Sequence, residues 1–170
     1  MTLDISLPFE IRRSHDIVGS KEISSTTETV YGLLRLRADR LIIQWRLSRQ
    51  TDRVGSEIRT DTTMEPVREV VVPLDRIAGA EIRRRRFLWW GRPRLVLRAA
   101  DLRAFEQVTG EGGLSLTHPA ELVLRLRRLD RLPGESFIAD LALAVAEATG
   151  TQAGRPTLPA SAAPALEPKS

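Results

Sequence analysis

Hydrophobic and polar positions alternate along most of this chain, nowhere more plainly than in Val30 to Ser48, VYGLLRLRADRLIIQWRLS. Val30, Gly32, Leu34 and Leu36 fall on one parity, and Tyr31, Leu33, Arg35 and Arg37 on the other. After Ala38-Asp39, Leu41, Ile43, Trp45 and Leu47 share one face, opposite Ile42, Gln44, Arg46 and Ser48. Alternation at period two marks a strand with one face in a core and one in water. The break between the arms is short and polar, which predicts an antiparallel hairpin, because a parallel crossover needs roughly a dozen residues or more.

The pattern continues on both sides. Leu3, Ile5, Leu7, Phe9 and Ile11 alternate over residues 3–13 with Pro8 on the other parity, and a proline inside a strand places it at a sheet edge. Residues 14–26 are polar without a period and read as a loop. Residues 49–66 read the same way, at a length that points to a functional or disordered connection. Val67 to Leu74 predicts a strand covered on both sides, on the strength of Val70, Val71 and Val72. A turn at Asp75-Arg76 leads into a strand from Ile77 to about Phe87.

Arg94 to Ala99 and Glu121 to Arg128 are further predicted strands, the second with Leu122, Leu124 and Leu126 inward. Between them, residues 100–120 hold one apolar turn (Leu102, Phe105, Val108) and a glycine-rich loop. From Pro133 to Thr149 the period changes. Phe137, Ile138, Leu141, Ala144, Val145 and Ala148 make one helical stripe, with Pro133 in the first turn and Gly150 as the C-terminal cap. The remainder is rich in Pro, Ala and Ser and predicts a disordered tail. The expected organisation is thus an N-terminal strand and polar loop over 1–26, a β-rich domain over 27–149, and a tail over 150–170.

Composition narrows the chemistry. With no cysteine, disulfides, thiolate zinc sites, iron–sulfur clusters and cysteine nucleophiles are excluded. The opening MTLDISLPFEIRRS lacks the features of a signal peptide, and arginine interrupts every apolar run short of the roughly 20 residues of a membrane helix, so a cytoplasmic location is expected. The net charge is +4, and the 26 basic residues include only two lysines, Lys21 and Lys169. That bias fits phosphate or carboxylate recognition, and it fits equally the codon usage of a GC-rich genome.

The most concentrated charge is Arg83-Arg84-Arg85-Arg86, followed by Phe87-Leu88-Trp89-Trp90-Gly91-Arg92-Pro93. On extended backbone the four arginines divide between the two sheet faces. The candidate interaction surface is therefore the hairpin carrying Arg83, Arg85, Trp89, Trp90, Arg92 and Arg94, since tryptophan sits at the headgroup level of a membrane and arginine pairs with phosphate.

The segments GLLRLRADRLIIQWRL, EVVVPLDRIAGAEIRRR, RPRLVLRAADLRAF and ELVLRLRRLDR, followed by the helix, resemble bacterial PH-like domains of the pleckstrin-homology superfold. The resemblance covers residues 28–149. It implies a β-barrel of about seven antiparallel strands in two near-orthogonal sheets, capped by the C-terminal helix. Phe137, Ile138, Leu141 and Val145 would plug it, opposite Leu34, Ile43, Trp45 and Leu124. It also implies a binding or assembly module that forms homo-oligomers. Phosphoinositide-binding relatives carry a long basic loop in the first hairpin, whereas the turn here is the tight Arg37-Ala38-Asp39-Arg40, which counts against a lipid-headgroup site.

Catalytic and metal signals are weak. His15 and His118 are isolated and in no ligand spacing, and Gly110-Glu111-Gly112-Gly113 lacks the setting of a phosphate loop. The acidic pairs Asp61 with Glu65 and Glu106 with Glu111 read as salt-bridged surface. No cofactor is expected. Nucleic acid is disfavoured because aromatics make up 5% of the chain and the arginines alternate with acids. The expectation is a non-enzymatic protein-binding domain that self-associates through a strand edge. Peripheral binding to anionic lipid or another polyanion through Arg83 to Arg94 is the alternative, and a lipocalin-like carrier is a third reading.

Overall fold

A computed structural model describes residues 5–19, 23–55, 57–83, 92–109, 114, 116 and 118–153. The chain is mainly β, with two antiparallel sheets and one C-terminal helix. The larger sheet is built from β1 (Ile5–Val18), β2 (Ile23–Leu36), β3 (Arg40–Val54), β4 (Ile58–Met64) and β5 (Arg68–Pro73). The smaller is a meander of β6 (Ile77–Arg83), β7 (Arg94–Ala99) and β8 (Glu121–Arg125), and α1 (Arg131–Ala153) closes the described chain.

The central hairpin forms as its alternation predicts. Leu34 lies opposite Ile43, Val30 opposite Leu47, and Leu36 opposite Leu41, all on the buried face. The two-residue turn is closed by Arg37 N–H to Arg40 O at 2.9 Å and Arg40 N–H to Arg37 O at 3.4 Å. Asp39 accepts two hydrogen bonds from the Arg40 guanidinium, at 2.7 and 2.6 Å, and these hold its carboxyl below the ordinary carboxylate range. Pro8 takes the predicted edge position, since β1 is the outer strand of its sheet.

Several expected features are corrected. Residues 14–26 and 49–66 are not loops but strand over most of their length. The β1–β2 ladder runs without a break from Ile5↔Leu36 to Val18↔Ile23, and β3 continues to Val54 before returning as β4. Residues 23–29 are paired on both sides, with β1 and with β3, and the two ladders hold them extended although no residue there is buried. Position 26 therefore lies inside β2.

Next, β5 is not covered on both faces: Val70 and Val72 are buried while Val71 is 44% exposed. A bulge sets which of the valines face outward. β4 and β5 both pair with β3, and three residues, Glu65-Pro66-Val67, stand opposite only Arg46 and Leu47. One extra residue switches the parity of the faces, so even-numbered residues point outward in β4 and odd-numbered ones in β5. A closed barrel, also expected, is not found among the described residues, which show two antiparallel sheets. β1 lies beside β8 without a ladder, and the corner is tied by side chains, with Glu10 facing Arg92 and Arg127, each at 3.6 Å.

The core lies between the sheets and the helix. Leu7, Leu34, Ile43 and Val72 meet Leu95, Leu97, Leu122 and Leu124, with Phe105, Val108 and Leu114 from the connecting segment. Leu102, expected in that apolar turn, is exposed. Phe137 and Leu141 are fully buried while Ile138 and Val145 sit half-buried at the margin, and α1 packs on β6, the Leu74–Arg76 turn and β1. Pro133 is in the first turn as expected, but the helix passes through Gly150 to Ala153. Gly134 lets the first turn settle closely, since a Cβ there would lie 2.8 Å from Leu126 and 3.3 Å from Ile82.

Gly32 is the tightest point of the large sheet. It lies opposite both Phe9 and Trp45, and the Phe9 ring fills the space of its missing side chain, with Cζ 2.0 Å from where a Cβ would stand. Gly32→Ala must displace that ring, and overpacking of this kind costs typically about 1–3 kcal/mol. Denaturant unfolding is expected to show that loss. A Phe9→Leu change, unfavourable alone, is expected to recover part of it in the double variant, since the two sites share one volume.

Candidate interaction surfaces

Two surfaces stand out, one on each sheet. On the smaller sheet, Arg83 lies opposite Arg94, and Arg94 opposite Arg125. Cross-strand partners share a face, so the three arginines form one row, and it is the outward face because Leu95, Leu97, Leu122 and Leu124 point to the core. Like charges directly opposite each other are unfavourable, and nearby acids offset them. Glu81 accepts hydrogen bonds from Arg83 and, at 2.9 Å, from Arg98. Glu121 accepts from the same two arginines at 3.3 and 3.4 Å. The bond to Glu81 raises the Arg83 pKa above its ordinary value. The stems of such long side chains cover apolar surface, and Val96, directly opposite Glu81, is only 1% exposed although it faces outward.

Of the residues predicted for this surface, Arg83 and Arg94 are therefore brought side by side. Arg92 turns to the corner and faces Glu10. Arg85, Trp89 and Trp90 lie outside the described residues. Arg125 joins the row unforeseen: alternation marks it only as outward-facing, and the strand register alone sets it beside Arg94.

The second surface is the distal half of the larger sheet, where residues 12–18, 23–29, 48–54 and 58–64 form a four-stranded extension. None of its residues is buried. It is held by the backbone ladder and by polar cross-strand contacts. Arg49 bridges to Glu28 at 2.9 Å, Thr26 and Thr51 hydroxyls lie 3.4 Å apart, and Ser25 donates to Asp16 at 2.7 Å. Thr60 donates to Asp52 at 2.8 Å, and Gln50 adds bonds of 3.1 and 3.2 Å to the same carboxylate. At its end Val18, Ile23, Val54 and Ile58 stand in one row across all four strands, and all four are exposed, Ile58 at 80%.

Among the described residues both margins of this extension are open. β1 and β4 are its outer strands, and β4 packs chiefly on β3. Glu65 N–H donates to Leu47 O and Gly55 N–H to Glu57 O, which fixes the alternation of the ladder. Residues 59, 61 and 63 turn their backbone groups toward β3, so Ile58, Thr60, Thr62 and Met64 turn theirs outward. An open row of N–H and C=O groups is a template for another strand.

Other features carry less. A shallow depression of about 250 Å³ on the large sheet is lined by Tyr31, Leu33, Gln44, Arg46 and Val67. Beneath it the Trp45 indole N–H is buried without a hydrogen-bond partner among the described residues. His118 Nδ1 accepts the Ala120 N–H at 3.2 Å and so shapes the turn before β8, while His15 is exposed on the extension. Among the described residues no group of three or more His, Asp or Glu side chains is placed to hold a metal ion, and no helix is long and apolar enough to cross a membrane. The acids expected as salt-bridged surface include Asp61, paired with Arg59 at 3.3 Å, and Glu65, paired with Arg68 at 2.9 Å.

No protein-family model, curated protein or solved structure matches the chain.

The hydrogen bonds from Thr60 and then Gln50 lower the Asp52 pKa from its ordinary 3.8. A carboxyl depressed in the folded state contributes stability that is present above its unfolded pKa and is lost as pH falls through the folded value. The Asp52 carboxyl resonance is accordingly expected to titrate below 3.8 in NMR, and in Thr60→Val to move back toward it. An Asp52 midpoint unmoved by Thr60→Val would contradict the assignment.

Proposed function

We propose that this chain is a non-enzymatic binding and assembly module that self-associates through an exposed strand edge of the polar extension. The observation that carries the reading is the extension itself. Strands of fourteen and fifteen residues run well beyond the core, and in that distal part none of their residues is buried and, among the described residues, both margins are unpaired. Strand ladders that need no core of their own are suited to recognition by β-augmentation, in which main-chain bonds supply affinity and side chains supply register. A single monomer gains little from them.

The element order supports a PH-like arrangement: a four-strand meander, counting β4 and β5 as one interrupted strand, then a three-strand meander, then a helix. Such frames serve many unrelated roles, so the function is argued from the edges rather than the frame. The second reading, attachment to an anionic lipid surface or another polyanion, is favoured by one observation, the Arg83–Arg94–Arg125 row. Its charge is partly offset by Glu81 and Glu121, which weakens it relative to the first.

Salt and lipid separate the two. Light scattering of the intact chain is expected to give a discrete oligomer that persists from low to high salt, because edge hydrogen bonds and apolar contacts are little screened, whereas polyanion binding weakens steeply. Flotation with anionic and neutral liposomes is expected to leave the protein at the bottom of the gradient in both cases. A monomer that floats with anionic liposomes alone would overturn the assembly reading in favour of the arginine row.

A further inference from the structure

We infer that the self-association surface is the β4 edge, pairing antiparallel with β4 of a second copy about a two-fold axis at Thr60. The inference rests on the assembly reading above and names the strand, the register and the occupant.

The choice of β4 follows from what each margin offers. The β1 margin runs beside β8 in the body, where its Glu10 is engaged by Arg92 and Arg127. Among the described residues the β4 margin has no such neighbour; it is seven residues long, has no proline or lysine, and its only charges are Arg59 and Asp61, of opposite sign. Its straight run ends at the Glu65-Pro66-Val67 bulge, which limits pairing to β4. A β1-to-β4 contact between copies would be head-to-tail and need not close, whereas β4 on β4 is isologous and stops at two.

The register follows from backbone parity and charge. Thr60 turns its N–H and C=O outward, so two Thr60 residues face to face can exchange both bonds. Ile58 then lies opposite Thr62 of the second copy and bonds in the same way. Between these, Arg59 falls opposite Asp61 and Asp61 opposite Arg59, in the positions where side chains approach most closely. Within one chain Arg59 already reaches Asp61 at 3.3 Å, both well exposed, so the pairing joins two existing ion pairs into a square of alternating charge. Sliding the second strand by two residues in one direction sets Asp61 against Asp61. Sliding it by two in the other sets Arg59 against Arg59. Those neighbouring registers are opposed by like charge, and that complementarity identifies a second copy of this chain as the occupant.

The test uses the absence of cysteine in the full chain. Thr60→Cys introduces one thiol whose twin would lie at a Cα separation of about 5.5 Å, within disulfide range. Mild oxidation is expected to convert most of the Thr60→Cys protein to covalent dimer, while Thr62→Cys and Ser14→Cys remain largely monomeric on non-reducing gels. Sedimentation should show that Arg59→Asp or Asp61→Arg alone raises the dimer Kd at least tenfold, and that the double swap Arg59→Asp/Asp61→Arg returns it to within about threefold of the parent; a mere loss of folding would not be repaired by the second change.

A dimer in solution that cross-links through Thr62→Cys or Ser14→Cys rather than Thr60→Cys, or an open series of larger species, would overturn the β4 register and leave the assembly reading standing. A monomer at every concentration would remove both.

Discussion

The structure depends on one continuous backbone ladder. β1, β2 and β3 are hydrogen-bonded without a register shift from Ile5, Leu36 and Leu41 to Val18, Ile23 and Val54. In the first half of that run, slipping by a single residue would carry Leu7, Leu34 and Ile43 into water, so the buried face specifies the register strongly. In the second half no buried face does so. The extension inherits its register from the core, which is why a segment of threonines, serines and charges can have a defined set of outward-pointing backbone groups at all.

The same division explains how far the sequence could be read. Where one parity is apolar, strand and face follow from the pattern, and in Val30 to Ser48 the short turn gives the partner too; the strand expected over Glu121 to Arg128 ends at Arg125, and its pairing with β7 is not in its pattern. Residues 14–18 and 48–54 carry no such contrast, and they are strands because their neighbours are strands; a hydrophobic period cannot report pairing that buries nothing. The Val70-Val71-Val72 run misleads for a different reason. Three valines in succession suggest two covered faces, and only the bulge at Glu65-Pro66-Val67 shows which parity of β5 meets the core. Arg125 lies between these cases, outward by alternation yet placed beside Arg94 by a partner strand some thirty residues away.

Charge on this molecule acts mainly by position rather than by sum. A net +4 describes little, whereas the opposition of Arg83, Arg94 and Arg125, the bridging by Glu81 and Glu121, and the pairing of Arg59 with Asp61 each follow from strand register. Exposed ion pairs contribute roughly 0–1 kcal/mol each, too little to hold a fold. Their larger effect is to make some alignments of strands worse than others, and a surface with so few apolar landmarks needs that discrimination.

The two-residue period also governs how a change in the extension's length would act. Because side chains repeat every two residues, inserting matched pairs into adjoining strands would lengthen it by about 3.4 Å per residue while every existing side chain kept its face. Single insertions would invert everything beyond them. Because none of the extension's residues is buried, such changes of length leave the core around Phe9, Gly32 and Phe137 untouched. Among descendants of such a chain, reach could drift by whole turns of the pleat while the folded body stayed unchanged.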